Sequence, residues 1–163
     1  MIIQSKLTEK DYVKAIFALR YSQKTTFIRI GLLIVCAMMY LGIYILSPAT
    51  EPFPWQVLFY FNIAFVVMLV LPYFLSKKSF RTNKMLGETT KYEFTQDYLI
   101  IKGGSFSTQV GWGNILKVKQ IKNWVFIWQS IQVFNVISKT DIWEEQISEL
   151  KAILNKHKVK NNL

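Results

Sequence analysis

The sequence predicts an α+β membrane protein in which a two-helix transmembrane hairpin carries an antiparallel β domain closed by a C-terminal helix. Three observations predict it. From Ile30 to Leu75 there is no Lys or Arg and only one carboxylate, Glu51, a gap that suits two apolar spans in succession. From Thr90 to Ile137, short runs rich in β-branched and aromatic residues alternate with turn residues. From Ile142 to Leu154, apolar residues recur at helical spacing. With about a third of the 163 residues in spans, the remainder is enough for one small core.

Residues 1–26 form the first segment. Ile2 to Leu7 reads as a strand, and Thr8 is a good N-cap for a helix beginning EKDYVKAIFALRY. The hairpin occupies residues 27–75. Its spans are Phe27–Leu46 and Trp55–Leu75, each long enough at ~1.5 Å per residue to cross a ~30 Å hydrocarbon core. Neither shows the amphipathic period of a soluble core helix. The first apolar run starts too far from Met1 for a cleavable signal, and no small-residue cleavage pattern follows it.

The connecting loop, Ser47–Pro54, holds three prolines and no positive charge. Proline lacks an amide donor, so the chain turns there. Lys6, Lys10, Lys14, Arg20, Lys24 and Arg29 precede the first span, and Lys77, Lys78, Arg81 and Lys84 follow the second. Both flanks therefore predict cytoplasmic termini and an outside loop. Phe53 and Trp55 suit the outer interface, Tyr73 and Phe74 the inner one, and Arg29 can snorkel to inner headgroups. Asn62 is the most polar side chain within a span, and an interhelical hydrogen bond to the first helix is expected of it. No acid, base or histidine lies deep in either span, so no charged relay is expected. Pro72 is placed to kink the second span. Cys36, the sole cysteine, has no internal disulfide partner and reads as a small hydrophobe.

Residues 76–89 read as a basic juxtamembrane linker, 90–158 as the β domain and 159–163 as a frayed tail. Six strands are expected: Thr90–Thr95, Tyr98–Lys102, Ser105–Trp112, Ile115–Ile121, Trp124–Trp128 and Ile131–Ile137. Gly103-Gly104 reads as a two-residue hairpin connection, because glycine tolerates positive φ. Asp141 or Thr140 would cap the final helix, with Glu144 and Glu145 near its positive end and Lys156, His157 and Lys158 near its negative end. The N-terminal strand emerges on the same side as the others and can add a seventh. Seven antiparallel strands, curled to remove open edges and plugged by a helix, make a pleckstrin-homology-like barrel or sandwich.

The chain resembles the YcxB-like family of bacterial membrane proteins. The resemblance covers most of its length and rests on Trp112 with Ile115 and Lys117-Val118, the strand WVFIW, and VISKTDIW before the last helix. The family tends to have Pro before the Lys of that last segment, where this chain has Ser138. The resemblance implies the fold and a bacterial cytoplasmic membrane; the family carries no settled biochemical activity.

The net charge of +10 admits nucleic acid, an anionic membrane face or an acidic protein as partner. With two spans present, retention of Lys and Arg on the cytoplasmic side accounts for it, and nucleic acid is not expected. Asp141, Glu144, Glu145 and Glu149 read as the start and solvent face of a helix, and His157 as a solvated tail residue. No nucleophile elbow, phosphate loop, zinc motif or paired cysteines occur. No enzyme, cofactor or metal site is therefore expected. Candidate lipid or partner contacts are the juxtamembrane Lys77, Lys78, Arg81 and Lys84, then Lys117 and Lys119 on one strand face with Lys102 and Lys122 as neighbours. Trp124, Phe126 and Trp128 share a strand face; burial in the domain's own core is the first reading of these rings, and Trp124 and Trp128 are candidate contacts with the bilayer surface, a partner or a second copy. The expected function is a membrane-anchored binding module for a protein or anionic lipid, with homo-oligomers admitted. The alternatives are a membrane-bound immunity protein against a bacterial toxin, and a component of a transporter or pore.

Overall fold

The computed structural model describes residues 1–46 and 55–163. The expected loop Ser47–Pro54, with Glu51 and Phe53, lies outside the described residues.

Strand β1 (Ile2–Lys6) opens the chain and helix α1 (Glu9–Tyr21) follows. Thr8 caps α1: its hydroxyl accepts from the Asp11 amide at 3.2 Å, and the Asp11 carboxylate accepts from the Thr8 amide at 3.4 Å. That reciprocal box satisfies donors that a helix start leaves unpaired. After a break at Ser22-Gln23, helix α2 (Lys24–Leu46) and helix α3 (Trp55–Thr82) form the apolar pair. Both are long and apolar enough to cross a membrane. An apolar helix in a soluble core is buried, but the most apolar window of α2 is 0% buried and that of α3 is 6% buried.

The segment read as a basic linker is largely helix. Helix α3 continues through Lys77, Lys78 and Arg81 to Thr82, and a 3-10 turn at Lys84–Gly87 leads directly into the sheet. Pro72 lies inside α3 and is buried, as is Ser76, whose hydroxyl donates to the Pro72 carbonyl at 2.6 Å.

Strands β2 (Thr89–Phe94), β3 (Tyr98–Lys102) and β4 (Ser107–Gly111) extend β1 into a four-stranded antiparallel sheet in the order β1-β2-β3-β4. The N-terminal strand is thus the seventh strand: Ile2 pairs with Glu93 and Lys6 with Thr89. Strands β5 (Lys117–Ile121), β6 (Trp124–Trp128) and β7 (Phe134–Ser138) form a second antiparallel sheet. Helix α4 (Glu144–Lys156) closes the domain. One core joins both sheets to this helix, with Ile3, Leu99, Val125, Ile127, Leu150 and Leu154 at or near zero exposure.

Several boundaries move for identifiable reasons. Gly103 and Gly104 are not a two-residue turn with positive φ; neither has one, and the loop spans 103–106. A Cβ at Gly103 would overlap the Phe106 ring and lie 2.7 Å from a Glu88 carboxylate oxygen, so glycine serves close approach there. Trp112 leaves the strand and sits in a 3-10 turn, buried, with its indole donating to the Thr95 carbonyl at 3.3 Å. Asp141 does not cap α4. It accepts the Ser5 hydroxyl at 2.6 Å, and the Gln146 side chain accepts the Trp143 amide at 3.0 Å instead. The tail is not frayed: Val159 is buried, Asn161 bridges to Val118, and the Val118 amide donates to Lys160 at 2.9 Å.

Candidate functional site

Strand β6 reads WVFIW, and all five residues are buried. Alternation sends Val125 and Ile127 into the core between the sheets and Trp124, Phe126 and Trp128 to the opposite face. Helix α1 covers that second face with Tyr12, Ala15 and Ala18, joined by Phe80 of α3 and Leu86. Alanines at 15 and 18 let the helix approach closely; Ala15 has no exposed surface. Trp124 and Trp128 are 7% and 6% exposed, which corrects their reading as lipid or partner contacts: they are the seat on which α1 rests. Phe126 stacks on Trp128 at 5.3 Å, and Phe134 closes the cluster at 5.8 Å from Phe126.

Helix α1 also lies along the C-terminal part of α3. Tyr12 and Phe80 approach to 5.7 Å between ring centroids. At one end Glu9 accepts from Arg81 Nε at 2.8 Å and stands 3.4 Å from Lys77 Nζ. At the other end Arg20 and Tyr21 line a crevice with Met68 and Leu69. The two helices therefore run antiparallel side by side. The hydrogen bond from Arg81, with Lys77 nearby, holds the Glu9 carboxyl below its ordinary range.

The predicted contact residues separate on this frame. Lys77 and Arg81 are engaged by Glu9, and Lys77 also lies 5.7 Å from the Tyr73 ring. Lys78 and Lys84 are exposed. Lys117 lies 4.8 Å over the Trp128 ring and is half-buried, like Lys119, on the face that carries α1. Lys102 is exposed in the other sheet, paired with Lys91 and Ser107, so it is not a neighbour of Lys117 and Lys119 within a strand face. The Asn62 amide is exposed and donates to the Leu58 carbonyl on its own helix at 2.8 Å, not to α2.

A cleft of about 650 Å³ opens between α1, the β5–β6 turn and the loop after β7. Lys6, Lys14 and Lys122 reach it from three separate elements, beside Tyr21, Asn123 and Thr140. Two carboxylates share its wall, each held by hydroxyls: Asp11 accepts the Thr8 hydroxyl at 2.6 Å, and Asp141 accepts Ser5 at 2.6 Å and Thr140 at 3.3 Å. Among the described residues no carboxylate pairs with any of the three lysines. Lys122 holds φ at 52°, a left-handed conformation that glycine or asparagine adopts more readily. Sequence reasoning counted Lys6 and Lys14 only towards topology and saw Lys122 only as a neighbour of Lys117 and Lys119. A lysine at a hairpin tip was the one local signal.

Three other titratable groups are held within the fold. Glu88 accepts from the Ser105 hydroxyl at 2.6 Å and amide at 2.9 Å, which lowers its pKa and ties down the β3–β4 loop. Burial pushes the Tyr92 phenol up. His157 is not a free tail residue: it stacks on Trp112 at 5.7 Å, with Nε2 buried and unbonded among the described residues. The chain matches no model of a known protein family, and no curated protein matches it.

Proposed function

We propose that the chain is a membrane-anchored, non-enzymatic binding module of the bacterial cytoplasmic membrane, in which α2 and α3 span the bilayer and hold the β domain at the inner leaflet. In this reading the domain is pleckstrin-homology-like, the chain is YcxB-like, and the ligand is an anionic lipid or a protein. The observation that carries the reading is the mounting. Two apolar helices stand exposed, while α1 is buried on one side against β6 and on another against the last turns of α3. A domain fixed this way presents one constant face to the membrane and cannot swing as a tethered bead would.

The basic flanks support the cytoplasmic orientation, since Lys and Arg accumulate on that side. The long polar faces of the domain, together with helices too uniformly apolar for a conducting path, support binding over transport.

Two measurements test this together. With Cys36 replaced by alanine, Thr50→Cys is expected to react with an impermeant maleimide on intact cells, and Thr108→Cys only after lysis. Polymer-extracted membrane patches carrying the tagged protein are expected to enrich anionic lipid or one stoichiometric protein. A secreted toxin as that protein would make the chain an immunity protein. Labelling of Thr108→Cys from outside, or enrichment of neither lipid nor protein, would overturn the module.

A further inference from the structure

We propose that the cleft between α1 and the β5–β6 turn is a binding site for the phosphate of an anionic phospholipid headgroup, with Lys6, Lys14 and Lys122 as its cationic ligands. This rests on the reading of the chain as an inner-leaflet module and adds the site and the ligand chemistry.

The chemistry follows from the lining. Three exposed lysines from separate elements line one cavity, and none forms an ion pair with a carboxylate among the described residues. The lysines outnumber the carboxylates of the lining by one, and an anion placed among them is drawn by that excess. The two aspartates on the wall accept hydroxyl hydrogen bonds within the protein and stay ionised, so the lining keeps one cation in excess. Asn123, Thr140 and Tyr21 add neutral polar groups of the kind that a polyol or glycerol headgroup needs. The volume, about 650 Å³, falls in the range of small-ligand sites.

The position selects a lipid over a soluble phosphate. Tyr21 lines this cleft and also the crevice formed by Arg20, Arg29, Ile30, Met68 and Leu69 at the base of the apolar helices. Tyr21 therefore links the cavity to a small crevice at the base of α2 and α3, where Ile30, Met68 and Leu69 stand beside Arg20 and Arg29. Tyr21 ends α1, and α2 begins at Lys24, so the mouth of the cleft sits where the chain enters the bilayer. A phospholipid whose head enters the cleft can lay its acyl chains along the helices past Tyr21. The strained Lys122 fits this role, because a residue held at positive φ at a tip is where local preference yields to a contact.

The test uses the full chain in nanodiscs of phosphatidylcholine, titrated with short-chain phosphatidylglycerol and followed by native mass spectrometry. Wild type is expected to retain phosphatidylglycerol over short-chain phosphatidylcholine. The double variant Lys14→Gln with Lys122→Gln is expected to lower that retention about tenfold. Lys14→Arg with Lys122→Arg is expected to restore it, which separates charge from folding. Lys151→Gln with Lys156→Gln, both exposed on α4 and outside the cleft, is expected to leave it unchanged. Equal retention by the glutamine variant, or equal loss in the outside control, overturns the site. Displacement of the lipid by millimolar inorganic phosphate alone overturns the lipid as source. Should wild type retain no anionic lipid while a protein co-purifies, this inference fails and the module stands; should neither be found, both fail.

Discussion

Glu9 draws two cations from α3 onto α1, with Arg81 72 positions further along the chain and Lys77 close by. Exposed ion pairs contribute little to stability, and this one acts by fixing where α1 sits. Its pH dependence has a definite sign. A carboxyl whose folded pKa is lowered adds stability above its unfolded value and loses it as pH falls through the folded value. The clasp is therefore expected to hold through the neutral range and to open only in acid below the ordinary glutamate range. Cross-linking between cysteines introduced at Lys10 and Thr82 reports the opening. Glu9→Gln is expected to give the acid pattern already at pH 7; an unchanged pattern would show that the aromatic contacts alone hold α1. At this scale the sequence was partly legible. Thr8 as a cap needed only its spacing to Asp11, whereas the partner of Glu9 required the folded chain.

Among the elements, β6 and α1 define each other. A strand buried on both faces in an antiparallel domain needs a second cover, and α1 supplies it. The aromatic run was visible in the sequence as more apolar surface than a small core absorbs. That excess was real, but the second cover came from the same chain and not from lipid or a partner. Helix α1 has a mixed sequence, so nothing in its periodicity named β6 as its target. The contact depends on small side chains: Ala15 is fully buried, and extra methylenes in such a site cost about 1–3 kcal/mol. Ala15→Leu is expected to lower stability in detergent by that amount and to increase proteolysis near Gln23. Unaltered thermal unfolding would mean that α1 is not packed as described.

Across the whole molecule, the hairpin is an insertion within the β domain. Strand β1 precedes α2 and α3 in the chain, yet it pairs with β2, which follows them. Both ends of the hairpin are thereby tied to one sheet. Ile3 lies in the shared core with 1% exposure, Ser5 bonds Asp141, and the Met1 ammonium donates to Phe94 at 3.1 Å. Deleting residues 1–6 is expected to expose an edge of β2 and to release the domain to limited proteolysis while the helices stay in the membrane fraction. Protection equal to that of the full chain would refute the pairing.

The sequence by itself determined the class of most segments, the helical stretch after Leu75 and the bonded tail being the exceptions. Uncharged runs of fixed length mark long apolar helices, and period-two alternation between turns marks strands, because both signals are local and repeat over many residues. Tertiary structure alone decided which surfaces remain free. Whether a tryptophan is seat or contact, whether Asn62 bonds its own helix or the next, and which lysines meet in one cleft all depend on residues far apart in the chain. Lys6, Lys14 and Lys122 share no spacing that a linear pattern could report. They come together because β1, α1 and the β5–β6 turn are packed side by side, and packing between distant elements leaves no periodic trace in the sequence.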